Sequence, residues 1–555
     1  MTRDITKNIN NYPVLDKLDN TDDLRLKEGP VLACIDMGTN SFHMIVCRAS
    51  HEHNQFEVIT RMREAVPFFR TALTEHVIDP EAEKHAIRIL RRMRDHALEK
   101  GARTITAVAT SAVRESRNGA ELLRKIRQEL SIDAKRISGR EEARLIYLGV
   151  LWRLPKLTGQ FAIVDIGGGS TEIIIADRAR TIFSESYKLG AARLTAQYFG
   201  KDRYTPEALA ALHDEVRGML RPCAVQVAAS GGFTHLIGTS GTISALAKLN
   251  KAMHSKEGLA DKEIIHGSKI TVNNLEKIVQ YLENAKLAGI KVKGVSSDRG
   301  QTILAGAIVL LETMRSLGAH SIEYCDAALR EGVVVDRFVR GGWLESGLTQ
   351  HRNPRANSVH ELLTKYVSSS EHTSQVARLA LAIFDQSHGN LHQYDESVRG
   401  ILWTAAMLHD IGTFIARKGH HKHSYYLIKN GGLLGHSEEE IDLIAAIARY
   451  HRGNEPKESH PEFAALTPEE RKLISEMAAI LRLAEALDRS HRQIVRSLKL
   501  TFDSGKKGKG KPQHMLISVN TAKNADTVPE SWAFEEKKPY FEKQFAVTAD
   551  LQFAD

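Results

Sequence analysis

The chain has 555 residues, of which 42% are hydrophobic and 26% are charged, and its formal net charge is +8. This composition is typical of a globular protein, and the length allows three or four domains. The four cysteines are scattered and none forms a C-x-x-C pair, so the sequence suggests neither a disulfide framework nor a cysteine-based metal site. No apolar run is long enough to span a bilayer, and residues 1–30 form a polar tail without the apolar core of a signal peptide, so we expect a cytoplasmic protein.

The net positive charge favours a polyanionic partner but does not identify one. The chain contains no helix-turn-helix signature, zinc finger or aromatic RNA-binding motif, so we expect no nucleic-acid partner. A solvated surface with a slight excess of lysine is the alternative explanation of the charge.

Strand and helix patterns alternate in the first 340 residues of the chain. Residues 31–48 predict two strands joined by a turn, and residues 102–116 predict a strand that ends in a polar turn. Two further segments, 235–249 and 321–338, predict a strand, a turn and a helix in that order. Helices are predicted over residues 80–100, 119–130, 139–154 and 300–318. This mixture predicts an α/β fold.

Two glycine turns share one sequence pattern. The stretch VDIGGGSTEI places three glycines between predicted strands at 160–166 and 171–176. Such a turn could be a plain hairpin, or it could cradle a phosphate, because glycine lets backbone N–H groups approach an anion. IDMGTNSF, at 35–42, repeats the pattern about a domain's length earlier in the chain. This repeat suggests two related lobes, each offering one hairpin to a shared cleft.

The second half of the chain has a different character. Residues 351–358, HRNPRANS, form a plausible linker, and from about residue 358 to residue 500 helical patterns rich in histidine replace the strands. From about Lys499 apolar and polar residues alternate around the low-complexity loop GKKGKGKPQ. This last stretch predicts a small β-rich module with a basic loop.

Six motifs follow one another in the order IDMGTNSFHM, ATSAVRES, SGREEARLIYLGV, VDIGGGSTEI, LIGTSGTISAL and DAALREGVV. In this order they resemble the exopolyphosphatase and guanosine pentaphosphate phosphohydrolase family (Ppx/GppA), a branch of the actin, Hsp70 and sugar-kinase superfamily. The match runs from about Val31 to Phe338. The resemblance implies an α/β actin-like (ribonuclease H-like) phosphatase fold of two lobes, followed by an all-α HD-like domain and a small β-rich C-terminal module. The expected boundaries are 31–155, 156–345, 358–500 and 501–555.

The resemblance also implies roles for residues in these motifs, and cleavage of a phosphoanhydride makes such roles chemically sensible. Glu142 would be the catalytic base that orients a water, and Arg114 would stabilise equatorial charge. Asp36, Asp165 and Glu172 would hold Mg²⁺ directly or through water, with Mn²⁺ as an alternative. The expected phosphate-binding residues are Gly38, Thr39, Asn40, Ser41, Gly167, Gly168, Gly169, Ser170, Ser240, Gly241 and Thr242.

Each of these residues also has an ordinary structural explanation. Asp36 and Asp165 could be turn formers, and Arg114 could belong to a structural ion pair. Glu142 could be an exposed charge on a helix. Residues 240–242 could merely begin a helix rather than contact a phosphate or nucleoside.

Neighbours of the motif residues are assigned other roles. Glu141 is expected to be a spectator, because consecutive helical residues point about 100° apart. Arg330 and Glu331 are expected to brace a hinge at a helix start. His43 is expected to be a packed strand histidine.

The helical segment resembles an HD domain, a metal-dependent phosphohydrolase fold. His372, the adjacent pair His409 and Asp410, and Asp488 fit the ligand pattern of that fold. Imidazole and carboxylate ligands suit Mn²⁺, Fe²⁺, Zn²⁺ or Mg²⁺ and leave positions open for water. Two further histidines, His423 and His451, could add ligands for a second metal. The alternative is a basic, His-rich groove that conducts a polyphosphate strand toward the cleft.

The function that the resemblance implies is an exopolyphosphatase that releases orthophosphate processively from polyphosphate ends by Mg²⁺-assisted attack of water. Guanosine pentaphosphate (pppGpp) is the alternative substrate, and the HD-like domain could carry a second phosphohydrolase activity. The family also implies a homodimer. Two alternative functions are an ATP-dependent small-molecule kinase and a sensor that binds alarmone or polyphosphate without turnover. A chaperone function is disfavoured, because a helical domain rather than a peptide-binding β module follows the lobes.

Overall fold

The structure of the chain is a computed structural model that describes residues 29–50, 54–66, 69–200, 204–254, 265–288, 299–344, 353–367, 369–503 and 514–554. The first 28 residues of the predicted polar tail and the basic loop GKKGKGKPQ lie outside the described residues. The described part of the chain divides into two compact units, one on either side of residue 353. Within them, the predicted domain boundaries stay predictions.

The N-terminal unit begins with a five-stranded sheet of order β3-β2-β1-β4-β5. Its strands are β1 (Val31–Met37), β2 (Ser41–Ser50), β3 (Gln55–Ala65), β4 (Thr104–Ala109) and β5 (Asp133–Arg136). The first three strands pair antiparallel, whereas β4 and β5 extend the sheet in parallel from β1. The helices of this segment are α1 (Phe69–Ala72), α2 (Pro80–Glu99), α3 (Ser111–Glu115), α4 (Gly119–Leu130) and α5 (Gly139–Arg153). The polar turn predicted after β4 is therefore the short helix α3.

A second sheet of the same unit has six strands in the order β10-β11-β9-β6-β7-β8. Its strands are β6 (Phe161–Ile166), β7 (Thr171–Ala176), β8 (Thr181–Tyr187), β9 (His235–Thr239), β10 (Lys269–Thr271) and β11 (Ser321–Tyr324). The accompanying helices are α6 (Ala191–Tyr198), α7 (Pro206–Ala229), α8 (Ser240–His254), α9 (Val272–Leu287), α10 (Ile303–Ser316) and α11 (Leu329–Arg340).

Both sheets follow one topology. The strands β6, β7, β8, β9 and β11 reproduce the order and the directions of β1 to β5, and β10 is an antiparallel addition at the edge. The repeated motif thus opens two structurally equivalent sheets. In each sheet the glycine turn joins the first two strands, so the two turns occupy equivalent positions.

Helices α5 and α11 pack together in an apolar cluster that also contains residues of β1, β2, β6 and β7. Two glycines allow the helices to cross closely. A Cβ atom on Gly332 would lie 1.7 Å from the carbonyl oxygen of Leu145, and one on Gly149 would lie 2.1 Å from that of Ala328. At this crossing the guanidinium of Arg144 donates to Glu141 at 2.7–2.8 Å and to Asp336 at 2.8 Å. Glu141, expected to be a spectator, is therefore part of a buried ion network.

The C-terminal unit combines eight helices, a short 3-10 helix and a three-stranded sheet within the described residues. Its helices are α12 (Pro354–Tyr366), α13 (Glu371–Ser387), α14 (Glu396–Leu408), α15 (His420–Asn430), α16 (Glu438–Arg449), α17 (Pro461–Ala464), α18 (Pro468–Ala486) and α19 (Val528–Phe545), with the 3-10 helix at Ile411–Phe414. The sheet has the order β12-β13-β14, formed by Val495–Asp503, His514–Thr521 and Thr548–Ala554.

The C-terminal stretch is less purely β than the sequence predicts. Helix α19 lies between β13 and β14 and buries Phe534 and Phe541 in the same apolar cluster as the preceding helices and strands. This helix is hard to predict from sequence, because Pro539 interrupts the helical pattern and the apolar residues form no clear stripe along one face. None of the described helices has the length and apolar character needed to cross a membrane.

Candidate active site

The two glycine turns and the start of α8 face one cavity of about 490 Å³ in the N-terminal unit. Ten of the eleven predicted phosphate-binding residues line it, namely Gly38, Thr39, Asn40, Ser41, Gly167, Gly168, Ser170, Ser240, Gly241 and Thr242. The eleventh, Gly169, packs closely against the opposite lobe, because a Cβ there would lie 2.2 Å from the Ser111 hydroxyl oxygen. The hydroxyls of Thr39 and Ser111 are 3.2 Å apart within the first lobe. The two turns themselves pack closely, because a Cβ on Gly168 would lie 2.9 Å from Cβ of Thr39.

The glycines of the second turn also make room for a following helix. The carbonyl oxygen of Gly167 accepts from the N–H of Ala191, and that of Gly168 accepts from the N–H groups of Ala192 and Arg193. These are the first N–H groups of α6, which have no partner within their own helix. The turn is thus held by a helix start while its other face lines the cavity.

Glu142 lies in the first turn of α5, whose N-cap Ser138 accepts from the N–H of Glu141. The Glu142 side chain lines the cavity and is buried. Its Oε2 accepts from Nη1 of Arg114 at 3.0 Å, and the same nitrogen also donates to the carbonyl of Ile137 at 2.8 Å. Burial raises the pKa of Glu142, and the charge of Arg114 opposes that rise.

Arg114 itself does not line the cavity. Burial works against its charge, but the carboxylate of Glu142 outweighs this effect and raises the pKa of the guanidinium. In this structure Arg114 therefore holds the predicted base in place, and its contact with the base favours the ion-pair alternative over direct contact with a phosphate.

The predicted metal ligands lie on the two equivalent hairpins. Asp36 pairs across β1–β2 with His43, and Asp165 pairs across β6–β7 with Glu172, so each pair projects from one face of its sheet. Burial raises the pKa of Asp36 to about 7 and that of Asp165 to about 6. Burial also raises the pKa of Glu172 well above its usual range, with a further contribution from Glu142.

Carboxylate oxygens are suitable ligands for a hard cation, but the oxygen atoms of these three side chains do not all lie close together. Asp36 and Asp165 line the cavity, whereas Glu172 is buried beside it and its Oε1 accepts from the Ser186 hydroxyl at 2.7 Å. The oxygen atoms of Asp36, Asp165 and Glu172 do not form a group within 4.8 Å of one another. Mg²⁺ prefers a few carboxylates and retains waters, so Asp36 and Asp165 fit such an ion with water completing its shell.

Cationic side chains to which the sequence assigned no phosphate-binding role also line the cavity. They are Arg63, Arg299 and Arg330. Arg330 lowers the pKa of Asp36, and its Nη1 lies 3.5 Å from Nδ1 of His43. The guanidinium of Arg299 lies against the start of α8, because Gly241 has no Cβ to exclude it.

The hinge role expected of Arg330 and Glu331 stays a prediction. The Glu331 carboxylate accepts from the N–H of Ala328 at 3.0 Å and thus caps α11. His43, expected to be a packed strand residue, lines the cavity, and its Nε2 lies 2.8 Å from the Ser41 hydroxyl oxygen. Burial and the nearby arginines lower the pKa of His43 to about 3, so this imidazole is neutral at pH 7.

A second group of chemically active residues lies in the C-terminal unit. The ligand atoms of His372, His409 and Asp410 lie within 4.8 Å of one another, as the predicted pattern requires. Asp488, the fourth predicted ligand, is placed on the other side of His372, with its Oδ2 2.8 Å from Nδ1 of that ring. A further histidine pair joins Asp410 in a second group, made of His420 and His451.

Two histidines, His423 and His451, were predicted to add ligands for a second metal, and the structure places only His451 near Asp410. His420 takes the place expected for His423. Both lie in the first turn of α15, where three of four consecutive residues are histidines, so the sequence alone did not show which of them faces Asp410. The HD-like identity of the unit stays a prediction.

Two family models match this chain: that of the Ppx/GppA phosphatase family over residues 45–340, and that of Ppx/GppA phosphatase domain III over residues 355–538. An exopolyphosphatase from Cytophaga hutchinsonii is 25% identical, with 57% of this chain and 99% of its own covered and a TM-score of 0.50. The Aquifex aeolicus member of the Ppx/GppA family is 23% identical, with 56% of this chain and 98% of its own covered and a TM-score of 0.48.

The two equivalent sheets agree with the two-lobe, actin-like α/β fold that the resemblance implied. The first family model covers more than half of the chain, including the whole second sheet, the first sheet apart from β1 and the start of β2, and most of the cavity lining. The chain belongs to the Ppx/GppA phosphatase family.

Proposed function

We propose that the N-terminal unit is an exopolyphosphatase that releases orthophosphate from the ends of inorganic polyphosphate. The observation that carries this proposal is the meeting of two glycine turns, a helix start and Glu142 around one cavity. Glycine turns and helix N-termini bind phosphate oxygens through backbone N–H groups. A carboxylate at the wall of such a cavity is in a position to activate a water.

In the proposed reaction the terminal phosphate occupies the cavity between the turns at Gly38–Ser41 and at Gly167–Ser170. Glu142 accepts a proton from the attacking water while the phosphoanhydride bond breaks, and the rest of the chain leaves as the shortened polyphosphate. Arg114 keeps the carboxylate oriented and opposes the rise in its pKa. Arg299 and Arg330 offset the charge of the phosphate oxygens.

A bound Mg²⁺, held by Asp36 and Asp165, would supply charge neutralisation at the anhydride oxygens. Glu172 lies too deep for direct contact in this arrangement, and its place beside Asp165 fits a role in orienting that carboxylate or a bound water. Mn²⁺ is the alternative ion for the same oxygen ligands.

Phosphate release tests the proposal, measured with Mg²⁺ from long-chain polyphosphate and from pppGpp at equal phosphate concentration. We expect release from polyphosphate by the wild type and a loss of at least about 10²-fold in Glu142→Gln, since general base catalysis contributes about 10²–10⁴-fold. Glu121→Gln is the matched control, because Glu121 occupies the first turn of α4 and is exposed. Undiminished release by Glu142→Gln would overturn the assigned role, and release from pppGpp alone would identify the alternative substrate.

The homodimer implied by the resemblance and the cytoplasmic location expected from the composition belong to the same proposal. All four cysteines are unpaired and buried, which agrees with a reducing compartment. Light scattering of the purified chain at micromolar concentration would report its oligomeric state.

A further inference from the structure

The short helix α3 contacts both glycine turns and the proposed catalytic base. The hydroxyl of its Ser111 lies 3.2 Å from that of Thr39 in the first turn, and the same serine packs against Gly169 of the second turn. Arg114 of this helix donates to the Glu142 carboxylate at 3.0 Å. A single element of five residues therefore links the groups that would hold the phosphate to the group that would activate the water.

Glu115, the last residue of α3, forms an ion pair with Arg193 of helix α6, which belongs to the lobe of the second sheet. Nη2 of Arg193 donates to Oε1 of Glu115 at 2.5 Å. Nε of the same guanidinium donates to the carbonyl oxygen of Gly169 at 2.7 Å. The planar guanidinium can hold two acceptors at once in a fixed geometry. Arg193 thus connects the second glycine turn to a carboxylate of the first lobe.

This ion pair is largely shielded from water. The side chains of Glu115 and Arg193 are only 15% and 12% exposed. The exposed Lys188 adds a second cation, with its Nζ 3.4 Å from Oε2 of Glu115. Exposed ion pairs contribute little, whereas hydrogen bonds between charged groups are about twice as strong as neutral ones where water is excluded. We therefore expect the Glu115–Arg193 pair to contribute measurably to the contact between the lobes.

Helix α6 and the second glycine turn are joined through their backbones. The first N–H groups of the helix donate to the carbonyl oxygens of Gly167 and Gly168. A Cβ on Gly190, the N-cap residue of α6, would lie 2.3 Å from the carbonyl oxygen of Gly168, so the helix start and the turn are in direct contact. A movement of α6 would therefore move the turn with it.

Helix α3 is fixed to the first lobe in a similar way. Its Ala112 and Val113 are buried in an apolar cluster formed by that lobe. A Cβ on Gly119, at the start of α4, would lie 2.1 Å from the carbonyl oxygen of Val113, so the two helices meet at their backbones. The Glu115–Arg193 pair therefore joins two well-packed elements rather than two loops.

We propose that Glu115 and Arg193 are positioning residues that hold the second glycine turn at a fixed distance from Glu142. This inference rests on the proposed function, because the turn is where the terminal phosphate would bind. Glu115 and Arg193 are not among the described residues that line the cavity, so they act through the turn and not on the substrate. When the pair is broken, the lobes separate at this end of the cavity, and the phosphate is bound less tightly and less well aligned with the base.

Steady-state phosphate release from polyphosphate measures the effect on the reaction. Arg193→Met removes both hydrogen bonds and should lower kcat/KM by about 10-fold or more, mainly through KM, since a hydrogen bond to a charged group corresponds to about a 10–100-fold change in an equilibrium constant. Glu115→Gln keeps a neutral acceptor and should raise KM less. The double variant should be no worse than Arg193→Met, because residues that share one contact are not additive. The acid limb of the pH–rate profile should stay in place, because Arg114 still contacts Glu142.

A distance measurement tests the contact between the lobes without depending on activity. Nitroxide labels at Leu98→Cys on α2 and at Val225→Cys on α7 place one label on each lobe, since both positions are exposed and the four native cysteines are buried. Double electron–electron resonance of the full-length chain without substrate should give a longer or broader distance distribution in Arg193→Met than in the wild type.

Two matched controls change exposed ion pairs that lie within a single helix. Glu81→Gln removes the charge that pairs with Lys84 on α2, and Arg217→Met removes the partner of Asp214 on α7. Both should keep the KM and the distance distribution of the wild type, and far-UV circular dichroism verifies that each variant is folded.

The two measurements separate this inference from the function on which it rests. A wild-type KM in Arg193→Met would overturn the positioning role, and a distance distribution identical to that of the wild type would overturn the contact between the lobes. A wild type that releases phosphate from neither polyphosphate nor pppGpp would contradict the proposed function, while the distance distributions would still decide whether the Glu115–Arg193 pair holds the lobes together.

Discussion

Alanine at Gly332 would force apart the two helices whose crossing positions the proposed catalytic base. The added Cβ would lie 1.7 Å from the carbonyl oxygen of Leu145, whereas ordinary van der Waals contact begins at 3.4 Å. The obstacle is backbone rather than a flexible side chain, so helix α11 or helix α5 must move by an appreciable fraction of that difference. Gly149 lies at the same crossing, and a Cβ there would also meet backbone, so the two helices have no free space between them at this point.

The expected loss of stability follows from the position of this contact in the packed core of the unit. Overpacking a well-packed core costs about 1–3 kcal/mol, and a clash between two backbones belongs at the upper end of that range. We therefore expect the free energy of unfolding to fall by about 3 kcal/mol in Gly332→Ala. Glu142 lies in the first turn of α5. A displacement of the base by about 1 Å lowers kcat by about 10²-fold.

Urea denaturation followed by circular dichroism, together with phosphate release from polyphosphate, measures both effects. Gly218→Ala is the matched control, since Gly218 lies within α7 and a Cβ there would meet no atom within 4 Å. Alanine at that exposed helical position should stabilise the chain by about 0.5–1 kcal/mol and leave kcat unchanged. If Gly332→Ala were as stable and as active as Gly218→Ala, the close crossing would not position the base.

Two further predictions concern single polar contacts. Arg114→Met should lower kcat by about 10-fold or more, because a hydrogen bond to a charged group is worth about 1.5–3 kcal/mol. KM should change little, because Arg114 does not line the cavity. The acid limb of the pH–rate profile should move to higher pH, since the lost cation opposes the raised pKa of Glu142, and an unchanged limb would contradict this role. The second prediction is a pH dependence of stability. His213 lies 2.7 Å from Glu312 and 3.2 Å from Glu283, which raise its pKa to about 9. Because the folded pKa exceeds the unfolded value of about 6.5, this contribution is complete below about pH 6.5 and is lost as the pH rises through 9. Thermal unfolding should therefore show a smaller loss of stability between pH 7 and pH 10 in His213→Gln than in the wild type, and equal losses would rule out this contribution.

The motif residues and the elements that carry them could be predicted from sequence because their signals are local. The strand–glycine–strand pattern predicted β6 and β7, and the 3.6-residue period predicted α4 at Gly119–Leu130. The repeat of the glycine turn indicated a second lobe, and the two sheets share one topology. Helix α19 was not predicted, because its burial depends on a core assembled from distant helices and strands.

The side chains that complete each site were decided by the tertiary structure alone. Arg63 and Arg299 belong to none of the six motifs and Arg330 was expected only at a hinge, yet the packing of the two lobes brings all three to one cavity. Likewise, nothing in the sequence distinguishes His420 from His423, since both lie in one helical turn and only the rotation of α15 against Asp410 separates them.

By itself, the sequence determined the alternation of elements, the two glycine hairpins, the family and the residue types available for chemistry, because all of these depend on neighbours along the chain. Only the tertiary structure decided that Arg114 contacts Glu142 rather than the cavity, that Arg144 contacts Asp336 as well as Glu141, and that Asp410 lies among histidines of other helices. The physical reason is that such contacts join residues far apart in the chain, whose distances are fixed by helix crossings and sheet packing and leave no periodic trace in the sequence.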